Sequence, residues 1–184
     1  MKIGIYGGTF DPIHCGHLIL ARDAMETLGL DKMIFIPAKL SPHKEGTNPV
    51  SAEVRYEMVV TALEGEPGFE ACDFEIRGSS PSYTIETLRM LQEKYAKGEF
   101  FLLMGADNLP ELGTWKEIDA VRQMAQIVVL GRGAAAVGDY PVIPRRIDIS
   151  STEIRMRIAK GLSIRYLVPE KIWHVLENKK LYRQ

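Results

Sequence analysis

Gly7-Gly8-Thr9-Phe10-Asp11-Pro12-Ile13-His14-Cys15-Gly16-His17 lies between a short apolar run, Ile3 to Tyr6, and an apolar-periodic stretch that starts at about Leu18. The run reads as a strand and the periodic stretch as a helix, so the glycine-rich segment is a strand-to-helix junction. Such a junction leaves backbone N–H groups unshielded at the positive end of a helix, where a phosphate can be held. His14 and His17, three residues apart, stand at the mouth of that helix, and Gly16 between them leaves room for close approach of a ligand. Two imidazoles can each donate a hydrogen bond to a phosphate oxygen and stabilise charge that grows there. Two capping histidines without further function are the plainer alternative.

Three commoner readings of such a loop do not fit. A dinucleotide fingerprint requires G-x-G-x-x-G, whereas Gly7-Gly8 is followed by Thr-Phe-Asp-Pro, and a P-loop requires a Gly-Lys-Ser/Thr ending. A zinc site built on His14 and His17 lacks ligands, since His43 and His174 are not spaced to complete it. No metal ligand is therefore assigned to the protein.

Further along the chain, strands alternate with helices. Lys32 to Ile36 reads as a second strand. Pro37 to Pro49, with Lys39, His43 and Lys44, reads as a loop of positive balance. Ser51 is positioned to cap a helix to about Leu63. Phe69 to Ile76 reads as a strand, Thr84 to about Tyr95 as a helix, and Glu99 to Met104 as a strand closed by Gly105-Ala106-Asp107. Leu109 to Trp115 is a loop or short helix, Lys116 to Met124 follows it, and Gln126 to Leu130 is a strand. Ser151-Thr152-Glu153 opens a helix with a hydroxyl cap, and Pro169 opens a last amphipathic one. The pattern implies an α/β fold with a doubly wound, mainly parallel sheet in a single domain over 1–184, on which a helical portion of about 151–184 packs. In that architecture the ligand site lies beyond the carboxyl ends of the strands.

Composition narrows the function class. Of 184 residues, 46% are hydrophobic and 26% charged, which suits a globular domain with a sizeable core. A net charge of −1 offers no basic field for nucleic acid, so a small phosphorylated ligand fits better. Two cysteines, one of them in the ligand loop, point to a reducing, cytoplasmic setting. No apolar run approaches about 18 residues, so neither export nor a membrane span is expected.

Two more segments converge on the same end of the sheet. Gly105 permits close backbone approach, and Asp107 can accept from ribose hydroxyls or cap a helix. Ile149-Ser150-Ser151-Thr152-Glu153-Ile154-Arg155 joins a helix start to an arginine one turn inward, whose planar fork can clamp a phosphate or lie solvated on the helix face.

The first stretch resembles the G-x-F-D-P-x-H-x-G-H signature of the nucleotidylyltransferase superfamily, and Ile149 to Arg155 resembles its I-S-S-T-x-I-R segment. Ser80 to Leu88, Gly105 to Lys116 and Pro37 to Lys44 are similar to the S-P-S-Y-T-x-x-T-L, G-A-D-x-L-x-x-L-x-x-W-K and P-x-x-x-x-P-H-K segments of bacterial nicotinate-mononucleotide adenylyltransferases. The likeness spans nearly the whole chain. It departs at Gly131-Arg132-Gly133, where a proline often follows the arginine.

The resemblance implies a Rossmann-like fold and adenylyl transfer from ATP to nicotinate mononucleotide, giving deamido-NAD and pyrophosphate in NAD biosynthesis. By the same resemblance His14, His17 and Arg155 are the catalytic residues. ATP is held by Gly7, Gly8, Thr9, Phe10, His14, His17, Gly105, Asp107, Ser151, Thr152 and Arg155. Nicotinate mononucleotide is held by Lys44, Tyr83, Thr84 and Trp115, with Lys44 reaching a phosphate. Mg²⁺ is expected, bound mainly through the ATP phosphates. Thr84 at a helix start can offer N–H groups to the nicotinate carboxylate, and Trp115 a flat face to the pyridine ring, although both aromatics suit a core equally well. Phosphopantetheine adenylyltransferase and a module that holds ATP without turnover are the rival readings, and self-association into a homo-oligomer is left open.

Overall fold

Strand β1, Lys2–Gly8, sends Ile3 and Ile5 to one face and Tyr6 to the other, and both faces are buried. Strand β2, Lys32–Pro37, repeats the pattern: Ile34 and Ile36 join the first face, and Met33 and Phe35 the second. Apolar side chains on both faces require cover from both sides, which is the condition of a parallel sheet. The remaining strands are β3, Phe69–Ala71, β4, Glu99–Gly105, β5, Ala125–Gly131, and β6, Val142–Pro144. In the computed structural model, which describes residues 1–39, 49–78, 81–131 and 140–183, the six strands pair in parallel in the order β3-β2-β1-β4-β5-β6. The expected doubly wound sheet is the one observed.

Helices cover both faces. On the Tyr6 and Phe35 side lie α1, Cys15–Leu28, α2, Ala52–Leu63, α6, Ser151–Ala159, and α7, Glu170–Asn178. They contribute Ala21, Met58, Val59, Ile154, Ile172 and Leu176 to one continuous core, so the C-terminal helices share their apolar contacts with the first half of the chain. On the Ile3 and Ile5 side lie α4, Thr84–Lys94, and α5, Ile118–Met124, with Ile85, Leu88, Leu91 and Val121 buried. Burying such side chains stabilises the fold by about 1.5–3 kcal/mol each. Among the described residues no helix is long and apolar enough to cross a membrane.

Several boundaries differ from those the sequence suggests, each for a local reason. The expected strand over 69–76 stops at Ala71, because its partner β2 ends at Pro37, which has no N–H to extend the ladder. The chain then forms a single helical turn, α3, Phe74–Arg77. Helix α1 starts at Cys15, three residues before the first periodic apolar residue; the Cys15 N–H donates to the Leu167 carbonyl at 2.9 Å, a cap supplied from far along the chain. It ends at Gly29, whose φ of +63° suits a residue without a side chain. Residues 106–114 form a 3₁₀ helix, and β6, short, preceded by Pro141 and ending at Pro144, carries too little alternation to be read from sequence.

The strand order reverses between β1 and β4. Chains leave the sheet in opposite directions there, and the divergence opens a crevice at the carboxyl ends.

Candidate active site

The crevice at the β1/β4 reversal holds a cavity of about 230 Å³. Gly7, Gly8 and Thr9 form one wall, Gly105 at the end of β4 another, and Tyr83, Thr84 and Trp115 a third. Seven of the expected site residues therefore share one hollow. Glu75, Ser82, Asn108 and Lys116 also line it, and the sequence reading assigned none of them a role. Lys116 stood beside Trp115 in a matched segment, so a signal existed; Glu75 was hidden by the expected strand over 69–76.

The wall at Tyr83 joins a helix start to a cation. Tyr83 is the residue before α4; its carbonyl accepts from the Glu86 N–H at 3.1 Å, its side chain caps nothing in the first turn, and the Thr84 and Ile85 N–H groups stand at that end. The Lys116 ammonium lies 4.3 Å from the centre of the Tyr83 ring and 2.8 Å from a Glu86 oxygen. Glu75, an acid, is the exception. It accepts from the Thr87 hydroxyl at 2.7 Å, and burial holds its carboxyl above the ordinary range.

The histidines lie beside this hollow, outside its lining. Helix α1 begins just after His14, so His14 stands at its N-cap and His17 within its first turn. Their rings stack with centroids 3.6 Å apart, and the His14 N–H donates to His17 Nδ1 at 3.2 Å. A ring nitrogen that accepts from an amide carries no proton, which places the His17 proton on Nε2. His14 is 5% exposed, and burial pushes it down to about 4, so it is neutral at pH 7. Its Nδ1 is buried without a hydrogen-bond partner among the described residues. Such an orphan costs about 1–3 kcal/mol unless a ligand or water completes it.

Gly16 and Phe10 also have packing roles in this stretch. A side chain at Gly16 would stand 3.0 Å from His14 Nδ1, so this glycine makes room for the imidazole. Phe10, with φ of +49° and 2% exposure, buries its ring among Tyr6, Phe35 and His17, leaving its backbone as the part that faces the loop. A left-handed phenylalanine costs of the order of 1 kcal/mol and persists where packing dictates it.

The arginine-bearing helix docks on the same loop. Arg155 Nη1 donates to the Asp11 carbonyl at 2.6 Å and Nη2 to the Thr152 hydroxyl at 3.2 Å, while the Ser151 hydroxyl donates to the Pro12 carbonyl at 2.9 Å. Ser151 is thus a tether. The cap of α6 is Ser150, whose hydroxyl accepts from the Glu153 N–H at 3.1 Å. Asp11, 6% exposed, anchors the loop from below: Oδ1 accepts from the Tyr182 hydroxyl at 2.6 Å and from the Val50 N–H at 3.3 Å, and Oδ2 is 3.7 Å from Arg155. The imidazole pair and the arginine tip consequently meet around residues 11–14. Asp107 is exposed in the first turn of the 3₁₀ helix, whose N-cap is Gly105, and its Oδ1 accepts from Asn108 Nδ2 at 3.5 Å. Lys44 and the departure after Gly131 lie outside the described residues.

The family described as cytidylyltransferase-like matches residues 5–157 of the chain. A probable nicotinate-nucleotide adenylyltransferase of Exiguobacterium sibiricum is 43% identical, covering 99% of this chain and 99% of its own. One of Rubrobacter xylanophilus is 39% identical over 100% of this chain and 92% of its own. Among solved structures, the nicotinic acid mononucleotide adenylyltransferase of Plasmodium falciparum complexed with NaAD superposes with a TM-score of 0.78, covering 98% of this chain and 97% of that one at 18% identity, which is a likeness of fold.

Proposed function

The chain belongs to the cytidylyltransferase-like family and, within it, to the nicotinate-nucleotide adenylyltransferases, and from that premise we propose that it joins ATP to nicotinate mononucleotide in the crevice between β1 and β4. The products are deamido-NAD and pyrophosphate, a step of NAD biosynthesis. The observation that carries the reading is the single hollow bounded by the Gly7-Gly8-Thr9 loop on one side and by the uncapped start of α4, Trp115 and Lys116 on the other.

The mononucleotide phosphate attacks the α-phosphorus of ATP, the bond from that phosphorus to the bridging oxygen breaks, and pyrophosphate leaves with the electron pair. The nucleophile is already an anion at neutral pH, so no general base is needed; catalysis consists of alignment and neutralisation of charge. His17 donates from Nε2 to an α-phosphate oxygen, and the orphan nitrogen of His14 finds its partner in the same ligand. Arg155, Ser151 and Thr152 take the triphosphate, with Gly7, Gly8, Thr9 and Phe10 contributing backbone. Gly105 and Asp107 take the ribose of ATP. Tyr83 and Trp115 flank the pyridine ring, and Thr84 at the α4 start receives its carboxylate, to which Lys116 adds a cation. Lys44 is kept as a phosphate contact. The donors of the crevice and of the loop beside it, N–H groups, imidazoles and cations, suit phosphates rather than a metal, so Mg²⁺ would fit as an ion carried mainly on the ATP phosphates, where it would supply neutralisation of their charge. The chain acts as one domain over 1–184, in the cytoplasm.

Pyrophosphate release with ATP and each of nicotinate mononucleotide, nicotinamide mononucleotide and phosphopantetheine tests the reading. Turnover is expected with nicotinate mononucleotide above the other two. Turnover with phosphopantetheine alone would move the chain to another acceptor, and ATP binding without release from any acceptor would make it a binding module.

A further inference from the structure

Arg55, in the first turn of α2, is 1% exposed, and its guanidinium makes no hydrogen bond to a carboxylate among the described residues. Instead it donates to three backbone carbonyls: Nε to Val50 at 2.9 Å, Nη1 to Thr9 at 2.6 Å and Nη2 to Lys39 at 3.1 Å. Burying a full charge is costly, and a chain that merely needed a filled core would place an apolar side chain there. The planar fork offers what no apolar group can: donors in fixed directions that hold three segments at set separations.

Two of those segments are walls of the crevice. Thr9 lines it on the side of the phosphate loop. Lys39 is tied to the other side, since its N–H donates to the Ser82 hydroxyl at 3.2 Å and its ammonium to the Gly78 carbonyl at 2.9 Å, and Ser82 precedes Tyr83 on the opposite wall. A continuous chain of hydrogen bonds therefore runs from Thr9 through Arg55 and Lys39 to Ser82.

We propose that Arg55 is a positioning residue for adenylyl transfer: it sets the distance between the loop that holds ATP and the helix start that holds the acceptor, and so the approach of the two reacting groups. The proposal rests on the proposed reaction, whose own test is the wild-type assay. Arg55 touches neither substrate in this role. A misplacement of about 1 Å between reactants costs up to about 100-fold in rate, so the loss belongs in kcat.

The test compares wild type, Arg55→Lys and Arg55→Ala, with kcat and KM expressed per folded molecule from circular dichroism at low temperature. Arg55→Lys keeps the charge and loses the fork; kcat is expected to fall about 10- to 100-fold with KM for each substrate changed less. Millimolar guanidinium should restore part of the Arg55→Ala rate, and methylammonium should not. A purely structural arginine would lower the folded fraction and leave kcat per folded molecule at the wild-type value, and that result overturns the proposal. Ser82→Ala cuts the far end of the chain without entering the core, and serves even if the Arg55 variants do not fold. A several-fold fall in kcat, with KM for each substrate changed less, is expected; an unchanged kcat would overturn the link. A wild-type enzyme inactive with every acceptor would fail the proposed reaction itself, a result distinct from any of these.

Discussion

His14 is held in a state that its own chemistry resists. An imidazole in water is half protonated near pH 6.5, whereas burial keeps this one neutral down to about pH 4. The unfolded chain takes up a proton between those values and the folded chain does not, so stability falls as pH drops below about 6.5 and the loss is complete below about 4. Between pH 7 and pH 5 a group displaced from 6.5 to about 4 removes about 2 kcal/mol. Urea unfolding of the wild type at the two pH values should show that difference, and His14→Asn, which has no proton to gain, should flatten it. An equal slope in both proteins would mean that His14 is charged or solvated in the fold. The neutral state also suits the stack with His17, since two imidazolium rings 3.6 Å apart would repel.

At the level of elements, the start of α6 separates two jobs that the sequence placed on one residue. Ser150 satisfies the Glu153 N–H, and Ser151 ties the helix to the loop at Pro12. Loss of a capping hydroxyl costs about 1 kcal/mol, so Ser150→Ala should lower the unfolding free energy by about that amount and leave KM for ATP near its wild-type value. Ser151→Ala should raise KM for ATP, because it frees the arginine tip from residues 11–14 while the cap stays in place. Denaturant titration and steady-state kinetics on the pair decide between the roles; matching effects would show that the tip acts as one unit. The pair could not be separated by reading Ser150-Ser151-Thr152, because any of the three hydroxyls can cap and the choice depends on where Pro12 lies.

For the whole molecule, the C-terminal segment closes the fold on the site loop. The Tyr182 hydroxyl reaches Asp11 across 171 positions of sequence, and its own ionisation is pushed well up by burial and by that carboxylate. A hydrogen bond to a charged acceptor contributes about 1.5–3 kcal/mol, so Tyr182→Phe should reduce stability by that order and lower Tm by several degrees. A thermal scan that shows no shift would mean that the tail merely rests on the loop. By itself the sequence determined the alternation of strands and helices, the apolar character of both strand faces, the strand-to-helix junction at Gly7 to His17 and the family signatures around it. These are legible because periodicity, glycine spacing and cap chemistry act within a few residues. Only the tertiary structure decided that Arg55 clasps Thr9, Lys39 and Val50, that Lys116 and Glu75 line the crevice, and that Asp11 is shared by Tyr182, Val50 and Arg155. The acceptors of those side chains are backbone carbonyls, or carboxylates that any segment can supply, so no residue type marks them in advance and folding alone brings them into reach.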